Sequence, residues 1–153
     1  IVDTRHNGGG WLHDDLATLL DGEGYIRFEP RGQYIGTEPY NKWTKPSCVL
    51  IGENNYSDAC GFPYVYKTLG IGKLIGAPVP GTMTAVWWET QIDPTIVFGI
   101  PQVGAIAVKE GRYLENMQIE PDILVYNDPA SVLRGEDRQL EAAVKEMLKT
   151  IEK

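Results

Sequence analysis

The apolar residues of this chain occur in short runs that predict an alternation of strands and helices. The run Cys48–Ile51 is continuously apolar and is followed by Gly52, a pattern typical of a buried parallel strand. From Asp58 to about Leu69 the residue pattern favours a helix, which Gly70 ends. We therefore predict a strand, a sharp turn and a helix at the centre of the chain.

The rest of the chain carries similar signals. Further strands are predicted at 1–5, 74–76, 85–88, 95–98, 104–108 and 123–125, separated by prolines and glycines. Helices are predicted from about 11 to 20 and from 137 to 153, the second with an apolar stripe of Leu140, Val144, Leu148 and Ile151. This order predicts an α/β domain with one mostly parallel sheet and helices packed on it.

Residues 21–47 interrupt this alternation. The segment is rich in turn-forming and polar residues, yet it also contains five aromatic side chains: Tyr25, Phe28, Tyr34, Tyr40 and Trp43. Aromatic residues on a long irregular loop indicate a packed excursion or an interface arm rather than a flexible linker.

Composition and charge narrow the possible functions. The chain has 153 residues, 42% of them hydrophobic and 23% charged, which is typical of one globular domain, so 1–153 is assigned to a single domain. The net charge of −7, without a cluster of Lys or Arg, argues against nucleic-acid binding. No apolar run reaches membrane-spanning length, so no membrane insertion is expected.

Cys48 and Cys60 lack metal-ligand spacing and are predicted to be buried thiols, and we expect neither a metal nor a cofactor.

The first residues of the chain look like the middle of a strand. Ile1-Val2-Asp3 includes neither an initiator methionine nor a signal segment. We therefore expect a piece of a longer protein, truncated at its N-terminal side. A cytoplasmic and a periplasmic location both stay open.

The central turn places Ser57 at the start of the predicted helix. A hydroxyl there lies beside unpaired backbone N–H groups and the positive end of the helix dipole. This environment suits a nucleophile whose attack creates an oxyanion. Serine is also a favoured N-cap without any catalytic role, so both interpretations stay open on this segment alone.

A glycine-rich loop forms a second candidate feature. Asn7-Gly8-Gly9-Gly10 joins a predicted strand to a helix, and successive glycines let the backbone approach a ligand closely. The segment lacks the G-x-G-x-x-G pattern and the following Lys-Ser/Thr of nucleotide-binding loops, and a tight turn without a ligand remains an alternative. Because the carboxyl ends of parallel strands meet at one sheet edge, an oxyanion hole could combine a glycine N–H with the Asp58 N–H.

The chain contains few candidates for a general base. His6 lies beside a strand end, where a hydrogen-bonded structural role is expected, and His13 is expected to be solvated. Lys67 and Lys73 lack the apolar surroundings that would lower a lysine pKa. Taken alone, Glu115 is typical of an exposed loop acid.

Several motifs in the same order resemble one protein family. The segment 2–10 is similar to the D-x-R-x-N-G-G-G element of the tail-specific and C-terminal processing serine proteases, and the match is closest to the tricorn branch. The segment around Ser57, with Tyr56 and Asp58 beside it, resembles the nucleophile segment of that branch. Other similar segments lie at 62–64, 67–72, 74–76, 115–116, 121–123 and 137–141. The resemblance therefore spans nearly all of the chain.

The resemblance implies a fold and a set of site residues. The fold is the crotonase/ClpP-like αββ core. Ser57 is the nucleophile that attacks a peptide carbonyl, the N–H groups of Gly10 and Asp58 form the oxyanion hole, and Glu115 is the acid of a Ser–His–Ser–Glu tetrad. In the family the histidine and the bridging serine lie well upstream of the N-G-G-G strand. The lysine that a related Ser–Lys branch would need near 81–83 is not in this chain.

The resemblance also implies a biological context. This chain would be the C-terminal catalytic core of a larger serine endopeptidase or carboxypeptidase, whose upstream domains supply the histidine and the serine. The chain alone would then hydrolyse little or no peptide. Peptides or unfolded polypeptides are the implied substrates, and a homo-oligomer is the implied assembly. The specificity pocket is expected to involve 21–47 or a neighbouring subunit.

Two alternatives come from other functional classes. The chain could be a non-catalytic peptide-binding or assembly module that uses the same crotonase-like core. It could also be a crotonase-type acyl-CoA enzyme with a similar oxyanion hole, although no basic surface suited to the adenine nucleotide is evident.

Overall fold

A computed structural model describes residues 1–151 of the chain. Within this range there are ten strands and four α-helices. The strands are β1 (Val2–Asp3), β2 (Ile26–Phe28), β3 (Gly36–Glu38), β4 (Cys48–Ile51), β5 (Lys73–Gly76), β6 (Ala85–Thr90), β7 (Val97–Val103), β8 (Ile106–Ala107), β9 (Arg112–Tyr113) and β10 (Ile123–Leu124). The helices are α1 (His13–Leu20), α2 (Asp58–Leu69), α3 (Pro129–Leu133) and α4 (Arg138–Ile151).

A parallel sheet of four strands forms the centre of the fold. Its order is β1-β4-β5-β10, and every neighbouring pair is parallel. β4 is an interior strand and its four side chains are fully buried, as the continuous apolar run predicts. The predicted α/β class, with one mostly parallel sheet and packing helices, is confirmed.

The alternating side chains of β4 build two apolar layers. Val49 and Ile51 pack with residues of α2 on one face of the sheet, and Leu16 and Leu20 of α1 extend that layer. On the other face, Cys48 and Leu50 of β4 form a second cluster with Ala143 of α4. The sheet is therefore covered by helices on both faces, which holds the carboxyl ends of β1 and β4 in place.

The remaining strands form three separate antiparallel pairs: β2–β3, β6–β7 and β8–β9. The strands predicted at 85–88, 95–98 and 104–108 therefore exist, but they lie outside the parallel sheet. The segment 21–47 contains the β2–β3 hairpin, where the rings of Phe28 and Tyr40 stack 6.4 Å apart. Its tyrosines and Trp43 are nevertheless 46–72% exposed.

The amphipathic helix predicted near the end of the chain is observed as α4, but its apolar stripe is not the face that packs on the sheet. Its stripe of Leu140, Val144, Leu148 and Ile151 is 41–68% exposed. Ala143 is instead completely buried against β4 and β5, with Met147 beside it. The reason is steric: a small alanine lets the helix approach the sheet closely, which a row of branched side chains would prevent. The final residues of the predicted helix, 152–153, lie outside the described residues.

An ionic network joins the start of α4 to the end of β1. The Arg5 guanidinium donates to Asp137 through two nitrogens, at 2.9 and 2.8 Å, and also pairs with Asp3. The hydrogen bonds from Arg5 hold the pKa of Asp137 well below its usual range. Arg5 precedes the glycine-rich loop, so this network anchors the strand from which that loop departs. Among the described helices, none is both long and apolar enough to cross a bilayer.

Substitutions on α4 test which face is buried. We expect Ala143→Asp to lower the free energy of unfolding by about 3 kcal/mol or more, because it places a charge in an apolar layer. Val144→Asp, on the half-exposed stripe, is expected to cost about 1 kcal/mol or less. Urea denaturation followed by circular dichroism measures both values, and equal losses would contradict the assigned burial.

Candidate active site

The turn between β4 and α2 holds Ser57 in a strained backbone conformation. Its φ is 54° and its ψ is −121°, a region that residues with a side chain rarely occupy. Ser57 occupies the N-cap position of α2, yet its side chain makes no capping hydrogen bond. The capping interpretation of this serine is therefore wrong, and its half-buried hydroxyl has no hydrogen-bond partner among residues 1–151.

The buried Asn55 holds this turn together. Its amide nitrogen donates to the Thr4 hydroxyl and to the Ala59 carbonyl, both at 2.9 Å. The Ala59 carbonyl is available because Pro63, four residues later inside α2, has no N–H to donate. The Asn55 side-chain oxygen accepts from the Gly52 N–H at 3.2 Å. One side chain thus connects the ends of β1 and β4 to the first turn of α2.

The glycine-rich loop packs directly against the serine turn. The Tyr56 N–H donates to the Asn7 carbonyl at 3.0 Å, and the Asn7 side chain accepts from the Gly9 N–H at 2.8 Å. A Cβ atom at Gly9 would lie 2.7 Å from the Ser57 Cβ, and the Gly9 φ is 103°, so only glycine fits this position. The predicted approach of the two loops at one sheet edge is therefore observed.

Three backbone N–H groups around the serine have different environments. The Ser57 N–H donates to the Thr82 hydroxyl at 3.1 Å and is thus unavailable to a ligand. The Asp58 N–H, in the first turn of α2, and the Gly10 N–H have no acceptor within the described part of the chain. Two unpaired donors therefore flank the serine, from two separate loops.

Glu115 lies on the opposite side of the same region. One carboxylate oxygen, Oε2, accepts from the N–H groups of Met83 and Thr84, each at 2.9 Å, and from the Thr84 hydroxyl at 2.7 Å. The other oxygen, Oε1, has no partner among residues 1–151. Because Thr82 binds the serine turn while the next two residues bind Glu115, the segment 82–84 fixes the serine and the acid relative to each other.

These residues share one cleft of about 610 Å³. Ser57, Asp58, Gly10 and Glu115 all contribute to its lining. The other lining residues are Gly8, Trp11, Tyr56, Thr82, Met83, Thr84, Ala85, Val86, Trp88 and Pro101. Within the described chain, the segment 21–47 contributes no residue to this cleft, so its part in a specificity pocket stays a prediction.

Both histidines lie outside the cleft. The Asn54 amide nitrogen donates to His6 Nδ1 at 3.1 Å, which agrees with the structural role expected for this histidine. The prediction that His13 is solvated is wrong. Its Nδ1 contacts the Asp58 carboxylate, and its side chain is only 22% exposed. The Asp58 carboxylate also accepts from the Leu12 N–H at 2.8 Å, so it ties α1 to α2.

The remaining candidate groups are held by structural partners or are buried. Lys67 donates to the Glu120 carbonyl at 2.7 Å, and Lys73 pairs with Glu146, away from the cleft. Cys48 and Cys60 are buried free thiols, as predicted. Burial raises the pKa of the Cys60 thiol, which disfavours the nucleophilic thiolate. The residues that the structure describes contain no cluster of three potential metal ligands.

Three residues of this arrangement were not anticipated. Asn55, Thr82 and Thr84 position the serine and the acid, yet none belongs to a recognisable sequence pattern. The proline inside α2 was the available signal for Asn55, since a proline inside a helix leaves one carbonyl in need of another donor. The partners of Thr82 and Thr84 are 25 and 31 residues distant in the sequence and depend on the tertiary structure.

The model of peptidase family S41 matches residues 1–125. The chain belongs to peptidase family S41. The S41 domain is 26% identical to the tricorn protease of Thermoplasma acidophilum over 151 residues, which is 99% of this chain and 14% of that protein.

Solved structures agree with the sequence comparison. A crystal structure of the tricorn protease superposes with a TM-score of 0.87 and 25% identity, over 99% of this chain and 15% of that one. The photosystem II D1 C-terminal processing protease shares the fold, with a TM-score of 0.53 and 18% identity, over 81% of this chain and 33% of that chain. The resemblance to tricorn-like and C-terminal processing proteases is thus confirmed. The S41 domain spans only about a seventh of the tricorn protease.

Asn55 and its neighbour provide a matched test of the serine turn. We expect Asn55→Ala to lower the free energy of unfolding by about 2–4 kcal/mol, because it leaves buried polar groups without partners. Asn54→Ala removes an exposed side chain and is expected to change stability by about 0.5 kcal/mol or less. Chemical denaturation of both variants measures the difference, and a mild effect of Asn55→Ala would contradict its role in holding the turn.

Proposed function

We propose that this S41 domain is the catalytic core of a serine peptidase in which Ser57 is the nucleophile. The observation that supports this most directly is the Ser57 hydroxyl, which is free of capping contacts and lies on a strained strand-to-helix turn at a cleft. A sharp, strained turn of this kind exposes a nucleophilic serine in other hydrolase folds. Family membership independently supports a peptidase domain.

The unpaired N–H groups of Gly10 and Asp58 form the oxyanion hole in this proposal. Attack by Ser57 on a peptide carbonyl converts its oxygen into an oxyanion, which two backbone donors stabilise. The Asp58 N–H also lies at the positive end of the α2 dipole. The bond between Thr82 and the Ser57 N–H keeps that third donor away from the oxyanion and holds the strained turn.

Glu115 is the acid of the proposed Ser–His–Ser–Glu tetrad. Three donors from Met83 and Thr84 orient its Oε2, which leaves Oε1 free to accept a hydrogen bond from a bridging serine hydroxyl. The serine would in turn orient the histidine that removes the proton from Ser57. In this arrangement Oε2 fixes the orientation of the carboxylate, and Oε1 accepts from the bridging serine.

The histidine and the bridging serine come, in this proposal, from upstream domains of the same protein. His6 and His13 have other partners, and neither lines the cleft with Ser57. The domain 1–153 is then one part of a larger enzyme that acts on peptides or unfolded polypeptides as a homo-oligomer. Residues 1–153 alone would hydrolyse little or no peptide, because no described group can accept the Ser57 proton.

The nucleophile can be tested with a serine-reactive fluorophosphonate. We expect the full-length protein to be labelled at Ser57 and to hydrolyse peptides, and the Ser57→Ala variant to lose labelling and at least about 10⁴-fold in kcat. Tandem mass spectrometry locates the modified residue. Residues 1–153 alone, examined in parallel, are expected to label slowly if at all.

Two results would count against this assignment. Labelling that persists in the Ser57→Ala variant would place the nucleophile elsewhere. Absence of both labelling and hydrolysis in the full-length protein would favour a non-catalytic peptide-binding or assembly module on the same core.

The acid can be tested by an isosteric change. We expect Glu115→Gln to lower kcat by about 10²–10⁴-fold with little change in KM, because the amide oxygen can still accept from Met83 and Thr84 while the NH2 group removes both the charge and the acceptor for the bridging serine. Glu110→Gln is the matched control, because Glu110 is exposed, does not line the cleft and accepts a hydrogen bond from the Tyr64 hydroxyl of α2. Steady-state kinetics on the full-length protein distinguish them, and similar losses for both would argue against a specific role for Glu115.

A further inference from the structure

The β6–β7 hairpin presents two different apolar faces. Cross-strand pairing puts Val86 opposite Pro101 and Trp88 opposite Gly99, so these four residues share one face. Val86, Trp88 and Pro101 all line the cleft that contains Ser57. Trp87 belongs to the opposite face and does not line that cleft. The face of the hairpin that carries Val86, Trp88 and Pro101 therefore forms one wall of the candidate active site.

The indole ring of Trp88 packs against Gly99 on this wall. A Cβ atom at Gly99 would lie 2.8 Å from the ring and 2.8 Å from the Val86 Cγ1, so the glycine leaves the space that both side chains occupy. Trp88 is nevertheless 64% exposed, because only one side of its ring is covered by the hairpin. The other side is open to a ligand in the cleft.

The wall is close to the serine along the chain. Thr82, which accepts the Ser57 N–H, precedes Trp88 by six residues. A fully extended chain covers at most about 3.6 Å per residue, so the two Cα atoms are separated by no more than about 22 Å. An extended peptide has the same rise per residue. Because Thr82 contacts the serine turn, we expect Trp88 to contact substrate residues within roughly six positions of the cleaved bond.

The charge of the cleft restricts which substrate side chains this wall accepts. Asp58 and Glu115 are the ionisable acids of the lining, and no Lys, Arg or His of the described chain lines the cleft. An acidic substrate side chain would therefore find no cationic partner in the lining and would be repelled by the Glu115 carboxylate. Indole, isopropyl and pyrrolidine groups together offer a large apolar surface, which gains free energy when it buries an apolar partner.

We propose that Trp88, with Val86 and Pro101, forms a specificity subsite for a bulky apolar side chain of the peptide substrate. The inference rests on the proposed peptidase function and adds to it a substrate class, peptides with an aromatic or large aliphatic residue near the cleaved bond. The hairpin acts as the selecting wall, and Gly99 is the residue that lets the indole ring lie flat on it.

The experiment compares two adjacent tryptophans on opposite faces of one hairpin. Full-length wild-type, Trp88→Ala and Trp87→Ala proteins are assayed with internally quenched peptides in which each position up to six residues from the cleaved bond carries Phe, Ser, Lys or Glu in turn. In the wild type we expect kcat/KM for Phe to exceed that for Ser by about 10-fold or more at one position, with Glu lowest. Trp88→Ala should reduce this Phe/Ser ratio about 10-fold, and Trp87→Ala should leave it unchanged.

A second variant tests the placement of the ring without removing it. Gly99→Ala adds one methyl group that displaces the Trp88 indole, and Gly99 does not have a backbone conformation reserved for glycine. We expect the Phe/Ser ratio to fall in this variant also. Tryptophan fluorescence of this variant in the Trp87→Ala background, after subtraction of the Trp87→Ala/Trp88→Ala double variant, would report the altered environment of Trp88, since Trp11 and Trp43 contribute to both spectra.

Fluorophosphonate labelling of Ser57 in every variant distinguishes a failure of the proposed subsite from a failure of the proposed peptidase function. Labelling retained with the expected fall in the Phe/Ser ratio supports the subsite. Labelling retained with an equal loss for all four peptides, an unchanged ratio in Trp88→Ala, or the same change in Trp87→Ala overturns the subsite alone. A wild-type protein that neither labels nor cleaves overturns the proposed peptidase and the subsite with it.

Discussion

The buried amide of Asn55 is the interaction on which this active-site geometry depends. A serine with φ of 54° is intrinsically unfavourable, so other contacts must hold it. Asn55 provides them by bonding to the end of β1, to the Gly52 N–H and to the Ala59 carbonyl that Pro63 leaves free. The proline in α2 thus leaves a carbonyl that needs a donor, and the side chain that holds the strained turn provides that donor.

A second constraint relates the serine to the acid across the cleft. The three consecutive residues 82–84 bind the Ser57 backbone at one end and the Glu115 carboxylate at the other. The loop that carries Glu115 is itself held to this segment, since the Asn116 N–H donates to the Gly81 carbonyl at 2.8 Å. The same chain then enters β6, so the proposed specificity wall starts from the segment that positions the proposed catalytic groups.

Local features of the fold were predictable from sequence. The buried strand β4, the bounds of α2 and its end at Gly70 follow from residue patterns confined to a few neighbouring positions. The helical nature of α4 and its apolar stripe were equally local, but the stripe did not identify the buried face. An apolar stripe identifies an amphipathic helix, whereas the face that packs on a sheet also depends on side-chain size, and Ala143 allows the closer approach. The separate β6–β7 sheet could not be foreseen, because strand patterns do not specify which strands pair.

The sequence by itself determined the kind of element at each place, the proximity of two loops at the carboxyl ends of β1 and β4, and the family resemblance carried by ordered motifs. These properties depend on short-range sterics and on residue types at fixed spacing. Only the tertiary structure decided that Ser57 makes no capping bond, that His13 contacts Asp58, and that 82–84 orient Glu115. Those contacts join residues far apart in the chain, so their geometry is set by how the sheet and helices pack and not by any local pattern.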